Sequence, residues 1–206
     1  MASRGIKEAT LASLSGPDGE AAEALGARLI KKRRVLCRPT VNMEAGLCDG
    51  YSFAKPKNPD DIEAIARAQI EGYTGAIDFQ EYYSDKSVDE VKAGVDETLA
   101  FYALPGSHCH SVLAVDNASG HIAGVCLAGT SPVVPHSFAN IADITVSPSH
   151  RGKGIGAAMI RYAINDAAAV SPAIKLTVTV GNSAESLYRS LGFAPGPTMS
   201  SFSVRL

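Results

Sequence analysis

The segment from Val146 to Met159 constrains the fold of this chain more than any other. An apolar, strand-like run ends at Val146, a glycine-rich turn follows, and an amphipathic helix begins at once. Glycine permits positive φ and close backbone approach to a ligand, and a helix's first N–H groups favour phosphate. The sequence therefore predicts a diphosphate site here. The turn holds three glycines at alternate positions and two cations: Gly152, Gly154, Gly156, Arg151 and Lys153.

Two common phosphate motifs fit this segment poorly. A Walker A loop needs Ser or Thr after its lysine, whereas Gly154 follows Lys153. A dinucleotide fingerprint would place its third glycine one residue after Gly156, in the first strand–helix–strand unit of the chain. Both are disfavoured, and a glycine-rich turn that binds nothing remains as the other interpretation.

Hydrophobic periodicity predicts a mixed α/β fold from Tyr51 onward. The order is strand, two helices, three strands, helix, strand, helix, strand. Before Tyr51, we expect a helix over residues 18–34 that ends in the basic run 31–34, which is interpreted as a solvated helix end rather than a phosphate or nucleic-acid contact. The predicted strands are 51–56, 111–115, 121–128, 139–146, 174–180 and 198–206, and the helices start at Asn58-Pro59, Ser87, Ile155 and Asn182.

Composition narrows the class of protein. The 206 residues are 46% hydrophobic and 19% charged, which supplies a sizeable core and excludes general disorder. The net charge of −2 argues against nonspecific nucleic-acid binding, and no apolar run reaches the roughly 18 residues that span a bilayer. The four cysteines form no CxxC pair, so we expect a reducing cytoplasm and no structural metal. The His108–His110 segment is interpreted as a loop entering a strand.

A second motif follows one helix and one strand after the first. It runs from Asn182 through Leu187-Tyr188 to Leu191-Gly192-Phe193. Together with Arg151-x-x-Gly154-x-Gly156, it resembles the two signatures of the GNAT superfamily of acyl-CoA-dependent N-acyltransferases. The resemblance implies a mostly antiparallel sheet that splays between its fourth and fifth strands, with helices on both faces. The first fifty residues lie outside the resemblance, and the helix expected there makes them an N-terminal helical extension. We expect residues 1–50 to be that extension and residues 51–206 the N-acetyltransferase domain.

The resemblance also implies a co-substrate, acetyl-CoA, and no metal. The main chain of the fourth strand would meet the pantetheine arm and the thioester, the loop amides would hold the pyrophosphate, Asn182 would contact the cofactor arm, and Tyr188 would lie near the sulfur. The implied cofactor-binding residues are Ile144, Thr145, Val146, Arg151, Gly152, Lys153, Gly154, Ile155, Gly156, Asn182 and Tyr188.

Each role has a chemical reason. Attack of an amine on a thioester creates an oxyanion, which a fixed backbone N–H stabilises. A tyrosine hydroxyl, with a pKa of about 10, can protonate the departing thiolate, so Tyr188 is the candidate acid. Asp143 is the candidate base, with a structural hydrogen-bond acceptor as its alternative role. His136 and His150 flank the fourth strand. They are interpreted as ordinary loop histidines in preference to proton relays.

The acceptor is expected to be a primary amine of a small molecule, amino acid or peptide, attacked directly in a ternary complex. The loop from Gly75 to Asp85 carries acids and aromatics that suit a cation. The alternative is a non-catalytic acyl-CoA sensor or partner module with the same fold. A third interpretation has the N-terminal extension recruit a macromolecule such as tRNA or a protein. A homodimer is left open as a partner state.

Overall fold

A computed structural model describes residues 8–46, 48–79, 83–132 and 138–205. The chain divides into two compact units, which we call the larger unit, Arg38–Leu176, and the smaller unit, Met1–Cys37 with Thr177–Leu206. The boundaries of these units along the chain do not fall at residue 50. The division into an extension, residues 1–50, and a domain, residues 51–206, stays a prediction. In chain order the elements are β1 (Glu8–Ser15), α1 (Gly16–Ala24), β2 (Arg28–Pro39), β3 (Tyr51–Ala54), α2 (Ile62–Tyr73), α3 (Val88–Tyr102), β4 (His108–Cys109), β5 (Val112–Asp116), β6 (Ile122–Thr130), β7 (Ala139–Val146), α4 (Ile155–Ala167), β8 (Ala173–Thr179), α5 (Ala184–Ser190) and β9 (Ala194–Arg205).

The larger unit is built on a mixed sheet. Its strands lie in the order β8-β7-β6-β5-β3, with β4 paired to β6. The pairs are antiparallel except β7 with β8, which run parallel over three residue pairs, from Ala139↔Ile174 to Ile141↔Leu176. Strand β7 continues for five residues beyond its last pair with β8. The mixed, mostly antiparallel and open sheet confirms the predicted fold class.

Helices cover both faces of this sheet because alternate strand residues point to opposite sides. On one face, α2 and α3 pack on β5 and β6 around Val125 and Leu127. On the other face, Ile155 and Met159 of α4 lie against Gly124 of β6. The capping box predicted at the start of α3 is present, with Ser87 and Glu90 bonding reciprocally. The first cluster comprises Ile65, Ala66, Ala68, Val91, Val95, Leu99, Leu113, Val125 and Leu127.

The smaller unit corrects the expectation for residues 18–34. Helix α1 ends at Ala24, and the basic run 31–34 lies in strand β2 rather than at a helix end. Gly26 follows with φ +83, a left-handed conformation that stops a helix. Strand β9 pairs antiparallel with β1 on one side and with β2 on the other. This long-range backbone pairing outweighs the weak helical pattern of apolar residues that favoured a helix over residues 18–34. Gly19 of α1 lies against Phe202 of β9.

Two further boundaries differ from the prediction. Helix α2 starts at Ile62 instead of Asn58-Pro59, because residues 58–61 form a turn in which Asp61 accepts a hydrogen bond from the Lys57 N–H at 2.7 Å. Strand β9 begins at Ala194, earlier than expected. Among the described helices, none combines the length and apolar character that a membrane crossing requires.

Candidate active site

Helix α2 crosses strand β7 at very short range. A Cβ added to Gly72 would fall 2.0 Å from Oγ1 of Thr145, so only glycine fits at this crossing. The Ser147 hydroxyl donates to a carboxylate oxygen of Glu71 at 3.1 Å. The last turn of α2 is therefore fixed over the C-terminal half of β7.

Three side-chain donors surround the Asp143 carboxyl, two from α2 and one from the segment that precedes α3. The Gln69 amide donates to Oδ2 and the Tyr73 hydroxyl donates to Oδ1, both in short hydrogen bonds. The Tyr83 hydroxyl donates to Oδ2 at 3.4 Å. The rings of Tyr73 and Tyr83 stack with centroids 4.5 Å apart. Asp143 and Thr145 both meet α2, as the alternation of the strand predicts.

Burial sets the electrostatics of this cluster. Desolvation raises the pKa of the Asp143 carboxyl above its usual range, and the hydrogen bonds that it accepts, led by that from Tyr73, oppose part of the rise. On the neighbouring strand, burial raises the pKa of the Cys126 thiol, with a smaller contribution from the charge of Asp143. A fully buried, protonated thiol is a poor nucleophile, so the chemistry available here is proton transfer rather than covalent catalysis.

Arg151 ties the predicted phosphate loop to this crossing. Its Nε donates to the carbonyl of Val146 at 3.1 Å. Its guanidinium also donates to the carbonyl of Gly72 in a short hydrogen bond. The side chain thus joins the end of β7 to the end of α2, a role that the sequence did not indicate.

The phosphate loop has the backbone that the sequence predicts. Gly152 and Gly154 have φ of +77° and +80°, and Gly154 is the N-cap of the 13-residue helix α4. Residues 151–154 are exposed, whereas the Ile155 side chain is buried against the sheet. A diphosphate would therefore meet main-chain N–H groups here rather than an apolar side chain.

Lys153 belongs to a second small cluster beside the loop. Its Nζ donates to the Tyr51 hydroxyl at 2.9 Å and lies 5.6 Å from the centroid of that ring. The same hydroxyl is 2.8 Å from Nδ1 of His150. His150, interpreted from sequence as a loop histidine, thus has a defined partner at the start of β3.

The second motif lies in the smaller unit. Asn182 accepts a hydrogen bond from the Ala184 N–H at 2.9 Å in a turn that precedes α5, whose N-cap residue is Ser183 instead of Asn182. Tyr188 is 7% exposed and its ring lies edge-on to Phe193, with centroids 6.3 Å apart. Gly192 follows the helix with φ +84°, as a C-terminal cap requires. The cofactor and catalytic roles of Asn182 and Tyr188 stay predictions.

Within the larger unit, the structure brings together Asp143, Thr145, Val146 and Arg151 around the end of α2. Sequence reasoning missed Gln69, Gly72 and Tyr73 as members of the site. A pattern in the sequence could have identified them. Gln69 and Tyr73 are polar residues four positions apart on the apolar face of a helix, and a glycine lies between them. In the predicted acceptor loop, residues 80–82 lie outside the described residues, as does His136.

Metal chemistry has no ligand set in the described part of the chain. There, no three His, Cys, Asp or Glu side chains are grouped so that they could hold a metal ion. His108 and His110 have ring centroids 6.4 Å apart, and His110 bonds Asp166 through Nδ1 at 2.7 Å instead.

Comparison with solved structures identifies the same architecture. A GCN5-related N-acetyltransferase from Sphaerobacter thermophilus matches with a TM-score of 0.73 and 18% identity, over 97% of this chain and 60% of that one. A tandem GNAT protein from the clavulanic acid biosynthesis pathway matches with a TM-score of 0.70 and 15% identity, over 96% and 63%. The chain thus spans about 60% of the length of these two proteins.

Another GCN5-related N-acetyltransferase, from Kribbella flavida, has a TM-score of 0.58 and 18% identity, over 95% of this chain and 67% of that one. At these identities the likeness concerns the fold alone. No curated protein matches the chain.

A family model supplies the remaining evidence. The model of the acetyltransferase (GNAT) family matches residues 76–193, more than half of the chain. The match includes both signatures, the phosphate loop and strand β7 with Asp143. The chain belongs to the GNAT family of acetyltransferases.

Proposed function

We propose that this protein transfers an acetyl group from acetyl-CoA to a primary amine by direct attack in a ternary complex. One observation carries the proposal: a single strand, β7, presents the half-buried Asp143 carboxyl and is followed, after a 3-10 turn at Pro148–His150, by the left-handed glycine loop at the start of α4. The proposed base and the proposed phosphate-binding main chain would thereby lie on one continuous segment of the chain.

The residues present fit acetyl-CoA. Positive φ at Gly152 and Gly154 opens the main chain of an exposed loop, and the N-terminus of α4 favours a diphosphate. The main chain of residues 144–146 would align the pantetheine arm, because the side chain of Thr145 packs on α2. Acetyl-CoA supplies an activated thioester when bound.

The chain's own residues would then handle the protons. Asp143 is the proposed base that accepts a proton from the acceptor amine. Its carboxyl is half-buried and accepts hydrogen bonds from two tyrosine hydroxyls. Backbone N–H groups of β7 would stabilise the oxyanion. Tyr188 is the proposed acid for the departing thiolate, a role supported by the family motif around it. Cys126 takes no part because it is buried and its thiol pKa is raised.

The direct test is release of free thiol from acetyl-CoA in the presence of a panel of alkyl amines, amino acids and peptides. We expect amine-dependent thiol release and an acetylated product for at least one class of primary amine. Asp143→Asn should keep affinity for CoA and lose most of the amine-dependent rate. Binding of acetyl-CoA with no turnover against any amine would contradict the proposal and favour an acyl-CoA sensor of the same fold.

A further inference from the structure

We infer that Tyr73 is a catalytic residue that carries the proton of the acceptor amine to Asp143. In this arrangement the amine meets the Tyr73 hydroxyl, and Asp143 accepts the proton that Tyr73 gives up. The inference rests on the proposed function and specifies which atom of the site faces the acceptor.

Hydrogen-bond donors already occupy the surroundings of the Asp143 carboxyl. Both oxygens of Asp143 already accept hydrogen bonds from side chains, Oδ1 from Tyr73 and Oδ2 from Gln69 and Tyr83. The N–H of Ile144 adds a further bond to the carboxyl. An amine that approached the carboxylate directly would have to displace one of these donors, which would leave a buried polar group without its partner.

Only the tyrosines among these donors can pass a proton. The Gln69 amide donates but does not titrate, and its side chain is buried at 4% exposure. A tyrosine hydroxyl both accepts and donates, so it can take a proton from one side while releasing its own on the other. Two tyrosines reach Asp143, and both side chains are partly exposed.

The two tyrosines differ in how they reach the carboxyl. Tyr73 donates a hydrogen bond to Oδ1, whereas Tyr83 reaches Oδ2 only at 3.4 Å, near the limit of a hydrogen bond. Tyr73 also lies in the last turn of α2, whereas Tyr83 lies in a turn outside any helix or strand. Of the two hydroxyls, that of Tyr73 is therefore the better placed to pass a proton to the carboxyl.

At neutral pH the alkyl amine arrives as an ammonium ion, which gives one proton to the Tyr73 oxygen before it attacks. The hydroxyl proton of Tyr73 moves at the same time to Oδ1 of Asp143, which becomes a neutral acid. The neutral amine then forms its bond to the thioester carbonyl carbon, and collapse of the tetrahedral species breaks the carbon–sulfur bond. Tyr188 gives its hydroxyl proton to the thiolate and regains one from water, while the second proton of the nitrogen and the proton held by Asp143 pass to water.

The test compares Tyr73→Phe with Tyr83→Phe, which removes the other hydroxyl from the same carboxyl. Tyr162→Phe on α4, on the opposite face of the sheet, is the control for a lost tyrosine hydroxyl. Each variant is assayed at neutral pH with a strongly basic alkyl amine and a weakly basic aryl amine, both first shown to be acetylated by the wild-type protein. CoA affinity is measured in parallel as a check on folding.

We expect Tyr73→Phe to lower kcat for the alkyl amine by about 10²–10⁴-fold, the range of general acid–base catalysis. The loss should be smaller for the aryl amine, which is already neutral, and smaller for Tyr83→Phe. In an Asp143→Asn background, Tyr73→Phe should cause no further loss of kcat. Asp143→Asn already abolishes the proton transfer in which Tyr73 takes part.

Equal losses for the two amines, additive losses with Asp143→Asn, or an unchanged kcat would overturn the relay. These outcomes are distinct from failure of the proposed function, in which the wild-type protein itself acetylates no amine. Loss of CoA affinity in Tyr73→Phe would assign the residue a structural role and would also overturn the inference.

Discussion

At the scale of single residues, Asp143 couples the site to the stability of the fold. Its carboxyl pKa is raised mainly by burial, so the folded state holds this proton more tightly than the unfolded chain does. Stability from this group is complete below the ordinary carboxyl pKa and declines as pH rises through the folded-state pKa. Asp143→Asn removes that dependence.

As pH increases, the unfolding free energy of the wild-type protein should therefore fall relative to that of Asp143→Asn. Urea denaturation of both proteins at several values between about pH 4 and 8 measures it, since other titrating groups largely cancel in the difference. A difference that grows in favour of the wild type with rising pH would show that the hydrogen bonds to the carboxyl outweigh its burial.

Tyr188 is the residue whose role depends most on the family motif. Its ring is buried against Phe193, so Tyr188→Phe keeps the packing and removes only the hydroxyl. We expect kcat to fall by about 10–10³-fold with little change in CoA affinity, as for loss of a general acid. Steady-state thiol release and calorimetric CoA binding check this. Unchanged turnover would remove Tyr188 from the mechanism.

At the scale of elements, the crossing of α2 over β7 depends on one missing side chain. Gly72→Ala would place a methyl group against Thr145, and the overpacking should destabilise the protein by about 1–3 kcal/mol and displace the donors of Asp143. The matched control is Gly94→Ala in α3, where a Cβ meets nothing within 4 Å. That change should stabilise by about 0.5–1 kcal/mol.

Urea denaturation of the two variants gives the comparison. Opposite signs for Gly72→Ala and Gly94→Ala would support the close crossing, and partial rescue of Gly72→Ala by Thr145→Ala would locate it. If Gly72→Ala were as stable as the wild type, α2 and β7 would have to lie farther apart than described.

The phosphate loop supplies the second prediction at this scale. Gly154→Val should abolish CoA binding, because a side chain is strained at φ +80° and would enter the space of a diphosphate. Gly120→Val, in the β5–β6 turn at φ +74° with nothing within 4 Å of its Cβ, carries the same backbone strain away from the loop. It should keep affinity for CoA in calorimetry. Retained micromolar affinity in Gly154→Val would refute the loop assignment.

Elements with local signals could be predicted from the sequence, whereas elements that depend on distant contacts could not. Helices α3 and α4 and strand β7 were predicted because their signals are local: a capping box, a 3.6-residue apolar repeat and a halting Pro148. Strand β2 was missed because its pairing with β9 joins distant parts of the chain. Asp143 was identified as a lone acid in an apolar strand, whereas Gln69 and Tyr73 became site residues only through the crossing at Gly72.

At the scale of the whole molecule, the N-terminal segment has a structural role that its composition did not reveal. Strands β1 and β2 supply both partners of β9, and α1 lies on buried Phe202. We therefore expect deletion of the residues before Tyr51 to lower the urea midpoint and to reduce acetylation of small amines. A stable truncated protein that lost only tRNA or protein acceptors would instead assign the segment to recruitment.

We propose above all that the main chain between β7 and α4 binds the diphosphate of acetyl-CoA. A crystal structure of the protein with CoA would test this without relying on activity. We expect electron density for the two phosphates against the backbone N–H groups of residues 152–156, with Gly152 and Gly154 at positive φ. A bound CoA whose phosphates lie elsewhere, with that loop empty or filled by a side chain, would contradict it.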